Sequence, residues 1–141
     1  MKDPAVSAGL LTAWLVALIA TLGSLYFSEV RGFVPCSLCW YQRTLMYPLV
    51  VVLGVAAFRG ERAGWWYALP LAWAGAAVAA YHVLIQKVPS IAGPGGCAVG
   101  VPCSGAYVNY LGFISIPVLA LTAFVIIGVL GLTGLMRRMP S

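Results

Sequence analysis

Apolar residues in this chain come in long, nearly unbroken runs, separated by short clusters of polar residues, glycine and proline. A helix needs about 20 apolar residues to cross the roughly 30 Å hydrocarbon core of a bilayer. Four runs reach that length: Ala8 to Phe27, Trp40 to Phe58, Trp65 to Ile85 and Gly112 to Met136. The pattern predicts an all-α membrane protein, a four-helix transmembrane bundle in a single domain over residues 1–141.

The first run is free of charge and ends in Tyr26 and Phe27, aromatics suited to the headgroup level. Lys2 precedes it, as in a signal peptide. The run is long for a signal sequence, however, and Ser28-Glu29-Val30-Arg31 offers no small-x-small cleavage site, so an uncleaved span is expected. The second run carries Arg43 near its start and Pro48 beyond it, a residue that frees a backbone carbonyl and bends a helix. A polar turn, Arg59 to Gly64, follows. The third run opens on Trp65, Trp66 and Tyr67, and its middle, residues 74–80, consists of small residues that let helix backbones approach closely. Residues 86–111 form the one long connection, rich in glycine and proline, and a connection of that length in a compact domain usually serves function. The fourth run contains Pro117 and ends at Arg137-Arg138.

Composition agrees with the pattern: 62% of residues are hydrophobic and 8% charged, against about 45–50% and about 25% in soluble domains. The net charge of +5 is then a topology signal, and no nucleic-acid partner is expected. Lys2, Arg59, Arg62, Arg137 and Arg138 fall on one side of a four-span arrangement, and Arg31, Arg43 and Lys87 on the other. Basic residues favour the cytoplasmic face. Both termini are therefore expected in the cytoplasm of a multi-pass cell-membrane protein, with outer loops 28–39 and 86–111 outside. Asp3, Glu29 and Glu61 all lie outside the spans, so a proton-coupled exporter would lack its usual membrane carboxylate.

The four cysteines form two close pairs, Cys36 with Cys39 and Cys97 with Cys103, each in an outer loop. Charge and cysteine placement thus agree independently, because an extracytoplasmic face is oxidising. Structural disulfides, a zinc site and two redox pairs in series all remain open. Zinc accepts C-x-x-C pairs, but the second pair is loosely spaced and the compartment is wrong, so no metal is expected. A structural bridge across so short a ring removes little chain entropy. Redox exchange accounts best for Cys36 and Cys39 at a helix start, where the positive end of the helix dipole favours an anionic sulfur.

Arg43 lies four residues beyond Cys39 and so on the same helical face. It either snorkels to the headgroups or stabilises the Cys39 thiolate and donates to an electron acceptor beside it. His82, the one histidine, is either a hydrogen-bonded helix-end residue or a proton donor to that acceptor. Gln42 is expected to form interhelical hydrogen bonds. Tyr41 and Tyr47 are either interface aromatics, the reading favoured, or walls of a ring-binding cleft, and Tyr107, Asn109 and Tyr110 read as residues of the membrane interface.

The string Pro35-Cys36-Ser37-Leu38-Cys39-Trp40-Tyr41-Gln42-Arg43, the loop pair Cys97 and Cys103, and the string from Asn109 to Pro117 together resemble the DsbB family of disulfide-bond formation membrane proteins, and within it the short BdbC branch. The match runs through essentially the whole chain. The resemblance implies a protein-disulfide oxidoreductase that reoxidises an extracytoplasmic thioredoxin-fold partner, DsbA-like or BdbD-like. Electrons would pass to a membrane quinone, ubiquinone or menaquinone, within the lipid.

By the same resemblance Cys97 takes the partner's thiolate, Cys103 attacks Cys36, and Cys39 faces a quinone with Arg43 beside the ring; the reading of the residues themselves adds His82 and Gln42 as candidates to line the quinone site. Two departures stand out. Cys97 and Cys103 are closer together than in the longer-looped branch, and Gln42 replaces an acidic residue found in some members. A vitamin K epoxide reductase-like quinone reductase has its redox pair on the last helix pair of its core, unlike this chain. A non-enzymatic four-span protein with stapled loops is the more distant alternative.

Overall fold

The computed structural model describes residues 4–30, 32, 37–88 and 116–137, all but a few of them helical. Helix α1 spans Pro4–Leu25, α2 Ser37–Arg59, α3 Gly64–Lys87 and α4 Ile116–Met136. All four are long and apolar enough to cross a membrane. Residues 89–115, which include all but the first three residues of the 86–111 connection, lie outside the described residues.

Each helix packs on two neighbours, α1 on α2 and α4, and α3 on α2 and α4, which makes a closed four-helix ring. Contacting pairs fix the directions. Arg43 near the start of α2 meets Ser24 near the end of α1. Gln42 meets His82 near the end of α3. Gly128 and Gly131 of α4 face Trp73 and Leu69 of α3. Neighbours are therefore antiparallel, and Ser24, Cys39, Gln42, Arg43 and His82 all belong to one end of the bundle.

Buried residues recur every three or four positions, as packed helices require. They are Leu10, Ala13 and Ala17 on α1; Met46, Leu49, Leu53 and Ala56 on α2; Trp65, Ala68, Ala72, Ala76 and Ala79 on α3; and Ala123, Phe124 and Ile127 on α4. The outward faces are equally apolar: Ile19 is 68% and Phe58 70% exposed. Helices that are hydrophobic all round suit a lipid environment. The small residues of α3 do pack, as their sequence implied. Phe124 fills the space over Gly75, and a Cβ there would overlap its ring.

Helix boundaries follow local chemistry. Pro4 and Pro117 sit in first turns, where the missing N–H costs nothing. Gly60 ends α2 with φ 68°, its N–H donating to Ala57 and that of Glu61 to Ala56, the double hydrogen bond of a glycine-terminated helix. Helix α2 runs through Pro48 to Arg59, and it starts at Ser37, ahead of the Trp40 edge of the apolar run. Cys39 is thereby placed inside the first turn. Beyond α1 the chain continues in a wider π-helical turn, Tyr26–Val30, a local geometry frequent at functional sites.

Candidate functional site

At the Cys39 end, two consecutive residues of α2 reach in different directions. Gln42 turns toward α3, where its Nε2 lies 3.0 Å from Nδ1 of His82. Arg43 turns toward α1, donating from Nε to Ser24 Oγ at 2.7 Å and from Nη2 to the Ser24 carbonyl at 2.8 Å. Successive helical positions differ by about 100° around the axis, which is why neighbours in sequence can tie α2 to two different helices. Cys39 precedes Gln42 by three residues and Arg43 by four, and so sits one turn above both.

Gln42 is 5% exposed and His82 2%. In hydrocarbon such groups persist where they satisfy one another or serve function. The interhelical hydrogen bond expected of Gln42 is present, and its partner is the histidine that the sequence singled out separately. Cys39 is half-buried against Leu38 and Ile85, and Val78 packs on the same cluster. Val78 and Ile85 lie one turn to either side of His82 on α3, so the sulfur-bearing turn of α2 and the histidine face of α3 adjoin.

Arg43 is also half-buried, its guanidinium 5.4 Å from the centre of the Trp40 ring. The two bonds to Ser24 engage two of the five N–H donors of a guanidinium. This anchorage differs from simple snorkelling, because the side chain is held across to α1. Sequence reasoning missed Ser24, a hydroxyl near the end of a charge-free span; its position toward the Cys39 end is the signal that could have found it. The Ser24 carbonyl lies just ahead of the π-helical turn, where the regular helical ladder changes register.

Tyr41 and Tyr47 face outward, 61% and 36% exposed, as interface aromatics do. Among the described residues no group of three or more His, Cys, Asp or Glu converges as a metal site would. Cys36, Cys97, Cys103, Tyr107, Asn109 and Tyr110 lie outside the described residues.

A quinone is a flat, largely apolar ring with two carbonyl acceptors. It calls for N–H donors at an apolar, lipid-facing edge. Arg43, half-buried with donors beyond its Ser24 bonds, and the outward-facing Trp40 beside the guanidinium fit that requirement, and the buried His82, bonded to Gln42, lies at the same level on the α3 side.

Relatives are found among disulfide formation proteins. The chain is 58% identical over 118 residues to Disulfide bond formation protein C of Bacillus subtilis, covering 84% of this chain and 86% of that protein. It is 51% identical over 120 residues to a probable disulfide formation protein C of Bacillus cereus, covering 85% and 86%. A probable disulfide formation protein of Metapseudomonas resinovorans is 48% identical over 124 residues, covering 86% and 85%. No solved structure matches the chain. The family model described as disulfide bond formation protein DsbB matches residues 7–134, and with an interhelical Gln42–His82 pair and an anchored Arg43 beneath its helix-start cysteine, the chain belongs to that family.

Proposed function

We propose that the chain oxidises an extracytoplasmic dithiol protein of thioredoxin fold and delivers the electrons to a membrane quinone. The observation that carries this reading is that Arg43 and the Gln42–His82 pair both lie one turn below Cys39, on the α1 and α3 sides of α2, at one end of a lipid-facing bundle.

The electron path runs through two disulfides in series. A partner thiolate attacks the Cys97–Cys103 disulfide at Cys97, forming a mixed disulfide and releasing Cys103 as thiolate. The second partner thiolate resolves that bond, so the partner leaves oxidised and the loop pair is left reduced. Cys103 then attacks Cys36 of the Cys36–Cys39 disulfide, and Cys39 leaves as thiolate. Such exchanges proceed through mixed disulfides at rates set by thiolate fraction and access. Resolution by Cys97 reforms the loop disulfide and completes the Cys36/Cys39 dithiol.

A quinone, when bound, supplies a two-electron acceptor that restores the Cys36–Cys39 disulfide. Arg43 stabilises negative charge on the Cys39 sulfur and offers N–H donors to the acceptor, and Ser24 holds the guanidinium in place for both tasks. His82 provides a second polar contact, oriented by Gln42. The basic residues at the opposite end, Arg59, Arg62 and Arg137 among them, support a cytoplasmic position for that end and an extracytoplasmic one for the cysteine loops.

The test adds a reduced thioredoxin-fold protein and a soluble quinone to the purified protein and follows quinone absorbance. Loss of quinone absorbance matched one for one by partner disulfide supports the reading. No turnover with an active partner would leave a stapled, non-enzymatic bundle.

A further inference from the structure

We propose that Gln42 fixes the neutral His82 ring with its proton on Nε2 and closes the route by which a proton could be relayed through Nδ1, so that His82 is a hydrogen-bond donor to the acceptor and not its proton source. What meets Nε2 rests on the function proposed above; the position of the proton does not.

The argument begins with the inventory of polar atoms. The amide nitrogen of glutamine carries donors and no acceptor, and in Gln42 it lies 3.0 Å from Nδ1 of His82, both side chains buried. A protonated Nδ1 would set N–H against N–H, and a buried polar group left unmet costs about 1–3 kcal/mol. Nδ1 therefore accepts. In a neutral imidazole one nitrogen is donor when the other is acceptor, which puts the proton on Nε2.

The consequence concerns proton balance. Giving up the Nε2 proton from the neutral ring leaves an imidazolate unless Nδ1 takes up another proton, and an amide N–H is not one that glutamine can release near neutral pH. A carboxylic acid at position 42 could act as such a source; Gln42 cannot. The proposed reaction balances without it, because a dithiol becoming a disulfide yields two electrons and two protons, the number that converts a quinone to a quinol. His82 contributes orientation and polarity at Nε2, and Gln42 is the residue that positions it.

Since the chain has one histidine, labelling histidine with nitrogen-15 places a single imidazole in the spectrum of the intact protein in lipid nanodiscs, with no quinone added. The expected pattern is a pyridine-type Nδ1 and a pyrrole-type, proton-coupled Nε2. A protonated Nδ1, or an even mixture of the two forms, overturns the proposal. In Gln42→Glu the carboxylate accepts from Nδ1, so the proton is expected to move to Nδ1; an unchanged spectrum in a folded variant shows that residue 42 does not control the ring.

A kinetic arm separates donor from acid. His82→Gln keeps an N–H donor and is expected to retain quinone reduction within about tenfold of the unsubstituted protein, on the scale of one hydrogen bond. A loss of about 100-fold or more, the scale of a general acid, in a variant with an unchanged unfolding temperature contradicts the donor role. Absence of turnover in the unsubstituted protein would reject the function proposed above, while the spectrum would still decide where the proton sits.

Discussion

Gln42 and His82 meet at 3.0 Å across the α2–α3 interface, each more than nine-tenths buried. The pair clamps the two helices at the level of the first turn below Cys39. Because the two side chains bond to each other in a medium without water, removing one takes from the other a buried hydrogen bond.

His82→Leu is expected to destabilise the bundle by about 1–3 kcal/mol, the cost of an unmet buried amide, and Gln42→Leu by a similar amount. The double variant should recover part of that loss, since neither side chain then leaves the other without this bond. Thermal unfolding in detergent of the two single variants and the double one provides the cycle. Additive losses would mean that the two residues act apart.

Arg43 grips Ser24 through the Oγ and the carbonyl at once. Arg43→Lys keeps the charge and loses the planar two-point contact. It is expected to slow quinone reduction by about tenfold, the equivalent of one charge-assisted hydrogen bond. Ser24→Ala removes the Oγ acceptor and keeps the carbonyl, so its effect should be smaller than that of Arg43→Lys. Steady-state rates rank the three proteins, and a Ser24→Ala protein slower than Arg43→Lys would refute the anchoring role.

Phe124 occupies the space that a side chain at Gly75 would need. Gly75→Ala should destabilise the α3–α4 contact by about 1–3 kcal/mol through overpacking. Adding Phe124→Leu should return part of it, and unfolding temperatures of the single and double variants measure both effects. No loss in Gly75→Ala would contradict the close approach of these helices.

The number and class of the helices were legible because lipid selects for length and continuity of apolar sequence, both visible in one dimension. Cys39, Gln42, Arg43 and His82 were legible as candidates for a related reason: polar groups in apolar runs stand out. Which of them pair was not. The Gln42–His82 bond joins residues forty positions apart, and the choice depends on the rotation of α2 against α3, which an almost uniformly apolar helix surface hardly encodes. Ser24 was passed over because a lone hydroxyl in a membrane helix ordinarily bonds to its own backbone, as Thr12 does to Ala8. The start of α2 at Ser37 lay ahead of the apolar run because a helix may begin in polar sequence that hydropathy does not mark.

The sidedness proposed from the basic residues has a direct check. After mild reduction of intact cells, a membrane-impermeant maleimide should label Cys97 and Cys103, whereas a cysteine introduced as Glu61→Cys, in the α2–α3 turn, should react after permeabilisation. Labelling of that turn in intact cells would reverse the orientation.

The most direct measurement compares the protein with its Cys39→Ser variant, following quinone absorbance in the presence of a reduced thioredoxin-fold partner. The account predicts turnover in the first and background rates in the second, with the same unfolding temperature in both. A Cys39→Ser protein that reduces quinone at the rate of the unsubstituted chain would contradict it.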